Sequence, residues 1–381
     1  MLDEAAILTK LTSFDRQNSD NLDEVQPTDQ ALDFVAGLLE EAGLRVEFQD
    51  YEIGEKGKKT IPRRNLLARL SEDREGLPFV GLEGHIDTVP FGDYKGNPLG
   101  EVRDGRIYGR GTVDMSSGLS CMVYALMQLQ GMDQRSSNPV LIVTSDEEAH
   151  SFAGIHRYLR DDPKLDFAIC GEASELVVKD RLKGALYYIV TMKGKSGHGS
   201  RQHEGENAIV KAVPVLQALK ELYGKVPMIM NEDFRTDDLH SHRSSMNIGL
   251  IRAGSKVNTI PDEMRIEFEM RVVRPAREYL DLIGDTLAPH RVLIGEEKLV
   301  FAVDPIIAKI EPSNPFYEKA KKLSEKRGVV DGFTEANHMN RKGIPTVVFG
   351  PGDNAMAHSA QEFVEMADLK TYTGKLLELI R

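Results

Sequence analysis

The chain has 381 residues, 41% of them hydrophobic, with a formal net charge of -12 and two cysteines. That length exceeds what one core usually fills, so two domains are expected, and the apolar content excludes a disordered chain. No basic block offsets the negative charge, which excludes nucleic acid and an anionic membrane as partners. The opening MLDEAAILTKL has acids where a secretory leader needs bases, and no apolar run approaches a membrane span; a cytoplasmic protein is expected. Residues 27 to 43 predict an amphipathic helix, with Ala31, Phe34, Val35, Leu38 and Leu39 at helical spacing and Gly43 as the stop. RVEFQDYEI then alternates as a strand, and further strands are predicted at 65–70, 77–84, 139–145, 167–171 and 346–350. Leu119, Met122, Val123, Leu126 and Leu129 place a helix after GTVDMSSG. Cys121 and Cys170 fall inside apolar segments and read as buried thiols, not as a disulfide framework. The order means an α/β domain, a mostly parallel sheet covered by helices.

From 177 to 292 the pattern changes. ALYYIVTMKG, the helix ENAIVKAVPVLQALKELYG, the strands SSMNIGLIRAG and DEMRIEFEMRVV and the helix REYLDLIGDTLAP give a β-α-β-β-α order, to which LVFAV adds a strand. This resembles a ferredoxin-like sandwich inserted into an α/β domain made of 1–176 and 293–381.

The acids and imidazoles track the strand ends. His85 and Asp87 follow one strand, Glu147 and Glu148 follow PVLIVTSD, Glu172 follows FAICG, and His358 lies beyond TVVFG; Asp114 sits in the loop GRGTVDMSSG. In an open α/β sheet ligands bind at that edge, so these segments can converge on one crevice. Two histidines and several carboxylates without a cysteine fit a pair of divalent cations, zinc or alternatively cobalt or manganese, at about four ligands each. The count works if His85 and Glu172 serve one ion, Glu148 and His358 the other, and Asp114 bridges. Asp87 would then hydrogen-bond the far nitrogen of His85. Glu147, beside a ligand yet surplus to it, is the expected general base for a water that the metals acidify.

Each piece alone has an ordinary explanation. A Glu pair after a strand is commonly a solvated helix start at the positive end of the dipole. GRGTVDMSSG lacks the Lys-Ser/Thr ending of a phosphate loop. His150, His156, His203, His240, His242, His290 and His338 read as surface or packing residues.

As an ordered set, GHIDTVP, YGRGTVDMSSG, TSDEEAHSFAG, GEAS, KSGHGS and FGPGDNAMAH resemble the successive motifs of the dinuclear zinc amidohydrolase family containing acetylornithine deacetylase, succinyl-diaminopimelate desuccinylase, aminoacylase and carboxypeptidase G. The resemblance spans nearly the whole chain. It implies the same metal ligands, Asp87 and Glu147 as catalytic residues, a cis peptide between Asp114 and Met115, and an inserted lid through which two chains form a homodimer. It also implies that His198, in KSGHGS, reaches a neighbouring subunit's active site and polarises the scissile carbonyl, and that Asn258, in SKVNTIP, touches substrate. Arg271 falls on the polar face of EFEMRVV, opposite Ile266, Phe268, Met270 and Val272, where it could hold a carboxylate or pair with Glu267 or Glu269. Gly350 and Gly352 permit close backbone approach to a ligand.

The expected reaction is hydrolysis of the amide of an N-acyl amino acid or short peptide. FTEANHM is similar to the corresponding segment of acetylornithine deacetylases and lacks the arginine that desuccinylases carry there, which favours a short acyl group. MSSG departs from the lysine and glycine usual in the family. Desuccinylase and di- or carboxypeptidase activities remain alternatives. From other classes, a dinuclear phosphoesterase lacks an added Arg/Lys cluster, and a non-catalytic binding protein would be expected to have lost at least one of these groups.

Overall fold

The computed structural model describes residues 2–18, 26–54, 60–132, 134–148 and 152–381; His150 lies outside them. The chain divides into two compact units, one formed by 1–180, 308–327 and 334–381, the other by 181–307 and 328–333. The sequence reading draws its boundaries after 176 and 292.

In the first unit the sheet runs in the order Arg45–Ile53, Ile61–Arg69, Asn138–Thr144, Phe79–His85, Phe167–Cys170, Thr346–Val348, Val178–Leu182. The middle four strands are parallel and the flanking pairings antiparallel. Asn138–Thr144 is buried along its whole length, as a strand covered on both faces must be, whereas the edge strand Arg45–Ile53 is largely exposed on alternate residues. Val80, Leu82, Leu141, Val143 and Ile169 share one apolar core with the helices Glu4–Thr12, Ser117–Gln130 and Met366–Ile380. Both cysteines are free and buried there or in the sheet, and burial pushes the Cys121 thiol up to about 12.

Register is what positions the site. His85 stands opposite Thr144, Glu83 opposite Cys170, and Cys170 opposite Val348, so the four parallel strands finish together at one edge. Their following loops all begin there. A fifth loop, just before Ser117–Gln130, carries Asp114, and its Asp114–Met115 peptide is cis, as the family resemblance implies.

The second unit has an antiparallel sheet in the order Ser245–Ala253, Glu263–Val272, Gly184–Lys193, Glu296–Val303. In chain order these strands and the helices Ala208–Lys225 and Ala276–Leu287 run β-α-β-β-α-β. Leu186, Val190, Ile266, Phe268 and Met270 from the strands pack with Ala212, Val215, Leu219, Tyr279 and Ile283 from the helices, a second core independent of the first. No helix among the described residues is long and apolar enough to cross a membrane.

In the first unit the helices Ala153–Arg160 and Glu335–Arg341 meet through two histidines, His156 Nε2 to His338 Nδ1 at 2.8 Å, with the Phe152 ring tilted by 45° at 4.9 Å from that of His338. Burial pushes His338 down to about 3, helped by His156 and Arg341, and burial also lowers His156, with Asp146 opposing. Both shifts are downward, so the neutral pair stabilises the fold above the unfolded imidazole pKa of about 6.5 and that contribution is lost as pH falls. Replacing His338 with Phe is expected to flatten this acid limb. Urea unfolding at pH 7 and pH 5, at one metal concentration, should show wild type losing about 2 kcal/mol more than the variant over that interval.

Candidate metal centre

The five expected ligands converge. His85 Nε2 lies 3.0 Å from Asp114 Oδ1 and 3.4 Å from Glu172 Oε1. His358 Nε2 lies 3.1 Å from Asp114 Oδ2 and 3.3 Å from Glu148. The two oxygens of Asp114 are thus divided between two imidazoles, each with its own glutamate. Ligand atoms of His85, Asp114 and Glu148 all fall within 4.8 Å of one another, and so do those of His85, Glu147 and Glu172. The Nδ1 of His85 is 3.0 Å from the backbone oxygen of Asp87, which can only accept, so Nδ1 carries a proton and Nε2 is the nitrogen that faces the cluster. His358 sits on a left-handed backbone with φ 57°, a strain of roughly 1–2 kcal/mol for a residue with a Cβ.

Crowding sets the charge states. Burial and the Asp114 charge push Glu148 up to about 7 and Glu172 up to about 8, and burial with the neighbouring carboxylates raises Glu147 as well. Asp114 is held low: burial opposes its charge, but hydrogen bonds from His358 and His85 outweigh it. His358 is raised to about 11 by hydrogen bonds to Asp114 and Glu148. Four carboxylates around two imidazoles offer the oxygen and nitrogen donors that suit divalent cations, which would displace the protons now shared among them. The divided Asp114 carboxylate fits two ions better than one.

Several residues that hold this cluster were not foreseen. The Glu362 side chain is fully buried and accepts from the backbone N–H of Gly111 (3.1 Å), Val113 (2.8 Å) and Asp114 (3.2 Å) and from Arg110 Nη1 (2.9 Å). Arg110 Nη1 also donates to the carbonyl of Ser359 at 3.3 Å, so one buried ion pair ties the Asp114 loop to the His358 loop. Arg16 is buried and donates to the carbonyl of Ile86 and to Ser116 Oγ, bracing the His85 loop against the Asp114 loop. Asp87 accepts from Asn18 Nδ2 (2.8 Å) and from the backbone N–H of Glu147 (3.3 Å) and Glu148 (3.1 Å), besides lying 3.4 Å from His85. Glu362 follows His358 by four residues, a spacing that could have prompted the search.

Other expectations fall differently. A Cβ on Gly350 would lie 2.3 Å from the Gly171 carbonyl, so that glycine makes room for the neighbouring strand end and not for a ligand. Gly352, with φ 89°, accepts from the Glu175 N–H at 2.9 Å on the loop leading to His358. The TEA segment builds the fold: Glu335 is buried and accepts from Thr144 Oγ1 at 2.7 Å, while Asn337 Oδ1 caps the Thr334 N–H at 3.1 Å. In the second unit His198 pairs with Thr259, and the Gly199 N–H donates to the Asn258 carbonyl at 2.8 Å, which brings His198 and Asn258 side by side. The Ser200 N–H donates to His198 Nδ1 at 3.3 Å, so in the neutral ring the proton is on the exposed Nε2. Arg271 Nη2 donates to Glu269 at 2.8 Å, the ion-pair alternative of the sequence reading.

Glu362→Gln would turn an amide toward three backbone donors and break a buried charge pair, at a cost of about 3–5 kcal/mol. The variant is expected to melt lower and to bind metal more weakly, read by thermal unfolding and by metal analysis after dialysis.

Comparison with known proteins gives the cluster a family. The chain is 29% identical over 366 residues to an acetylornithine deacetylase of Proteus mirabilis, covering 93% of this chain and 90% of that one. It is 27% identical over 354 residues to a probable succinyl-diaminopimelate desuccinylase of Staphylococcus epidermidis, covering 82% and 85%. The fold matches that of a dinuclear metal-binding peptidase from Bacillus subtilis with a TM-score of 0.62 at 14% identity, over 99% of this chain and 97% of the other. A model of peptidase family M20/M25/M40 matches residues 81–381, and this chain belongs to that family.

Proposed function

We propose that the protein hydrolyses the amide bond of an N-acyl amino acid, as an acetylornithine deacetylase does. The observation that carries this reading is the Asp114 carboxylate divided between His85 and His358, with Glu147 beside the first. His85 and Glu172 would hold one divalent cation, Glu148 and His358 a second, and Asp114 both; zinc is the first choice, with cobalt or manganese as alternatives. Once bound, the pair supplies Lewis-acid polarisation of the acyl oxygen and acidifies a water.

The remaining steps belong to the chain's own side chains. Asp87, fixed by Asn18 and two backbone amides, keeps the His85 ring in one tautomer and orientation. Glu147 takes a proton from the attacking water as its oxygen bonds to the acyl carbon. It then gives that proton to the amide nitrogen as the C–N bond breaks, releasing a carboxylate and an amine. The raised proton affinity that burial gives Glu147 suits a group that must both accept and return a proton. His198, reaching the active site of the neighbouring subunit as the family resemblance implies, would donate through Nε2–H to the acyl oxygen as negative charge builds there. Arg271 holds a substrate carboxylate by exchanging it for Glu269, and Asn258 and Gly352 line the substrate. The second unit acts as lid and as the homodimer surface: its outer strand Ser245–Ala253 exposes Leu250 and Ile251 to 46% and 50%. A cytoplasmic location agrees with two unpaired cysteines.

A panel of N-acetylornithine, N-succinyl-diaminopimelate, dipeptides and p-nitrophenyl phosphate tests the reading. The expected result is turnover of the N-acetyl substrate, abolished by chelation and restored by zinc, cobalt or manganese. Glu147→Ala should lower kcat by roughly 10²–10⁴ while close to two metals per chain remain. Preferential phosphate ester hydrolysis, or full activity in Glu147→Ala, would overturn it.

A further inference from the structure

Asp146 directly precedes Glu147, yet its carboxylate makes a different set of bonds. Oδ1 accepts from the Tyr51 hydroxyl at 2.9 Å and from the Gly154 N–H at 3.0 Å, and Oδ2 accepts from the Ala153 N–H at 2.7 Å. The helix Ala153–Arg160 has no capping side chain of its own, since Phe152 stands at its start with φ 50°. Asp146 therefore caps that helix from seven residues upstream. Tyr51 comes from the edge strand Arg45–Ile53; its oxygen also accepts from the Ser145 N–H at 3.3 Å and lies 3.0 Å from Ser145 Oγ. Burial and the Asp146 charge push the Tyr51 pKa up, so the phenol remains a donor. Asn65 Nδ2 closes the group by donating to the Gly154 carbonyl at 2.8 Å. The arrangement closes only around a glycine: a Cβ on Gly154 would lie 2.6 Å from Asp146 Oδ1, 2.7 Å from Asn65 Oδ1 and 2.8 Å from the Tyr51 oxygen.

The backbone of 145–148 is thus held from two sides. Tyr51 grips Ser145 and Asp146, and Asp87 grips the amides of Glu147 and Glu148. We propose that Tyr51 and Asp146 are positioning residues that fix the aim of the Glu147 carboxylate at the metal centre by anchoring its backbone to the edge strand. This inference rests on the reading of Glu147 as the general base. Removing the phenol oxygen leaves Asp146 on its two helix amides, so the cap stays and only the anchor to the edge strand goes.

The test is Tyr51→Phe in the metal-loaded full chain, with N-acetylornithine as substrate and rates normalised to bound metal. Expected are a kcat lower by about 10–100-fold, a KM within about twofold, and two metals per chain, with a melting temperature lowered only slightly as the Ser145 N–H loses this acceptor. Gly154→Ala, which forces the group apart, should show the same kcat-specific loss in whatever fraction folds and binds metal. Wild-type kcat in Tyr51→Phe, or a loss that merely follows metal content or stability, overturns the positioning role. Glu147→Gln measured alongside separates the two claims. If it is inactive while Tyr51→Phe is normal, only the positioning claim falls; if it is active, the base assignment falls and takes the positioning claim with it.

Discussion

Repulsion among buried like charges is the constraint on which this structure depends. Asp114, Glu147, Glu148 and Glu172 sit close enough that Glu148 and Glu172 are pushed to about 7 and about 8 by burial and by one another. A flexible scaffold would relieve such crowding by letting the carboxylates move apart. Here they cannot, because three of the four follow the ends of parallel strands locked in register, and the fourth hangs from a loop pinned by Glu362 and Arg110. The unfavourable charge energy is stored by the fold and becomes affinity for cations.

The supports differ in kind from the groups they support. Each ligand presents a side chain toward the centre, while Glu362, Arg16, Asp87 and Asp146 act chiefly on backbone atoms of the loops. Glu362 takes three amides of one loop, Arg16 a carbonyl, Asp87 two amides and Asp146 two more. Fixing main chain on either side of a candidate ligand limits its motion. Arg110 pairs its charge with Glu362 and also donates to the Ser359 carbonyl.

How much of this could be read in the sequence follows from that difference. The strand ends betrayed His85, Glu148, Glu172 and His358, because an apolar run that stops at a chemically active residue is visible along the chain. The β-α-β-β-α-β order of the second unit is legible too, since its strand and helix periods change. Glu362 and Arg16 are not, because their partners lie about 250 and 70–100 positions away and most of them are main-chain atoms common to every residue. Tyr51 looked like one more residue of an alternating strand. In the TEA segment the glutamate and the following asparagine are occupied in packing and capping.

Both native thiols lie buried, and burial raises their pKa, so neither reacts readily at neutral pH. A cysteine introduced on either unit's surface would therefore meet almost no background labelling. Spin or fluorophore pairs attached in this way could follow how far apart the two units stand as substrate arrives, with no need first to strip the native sulfur from the chain.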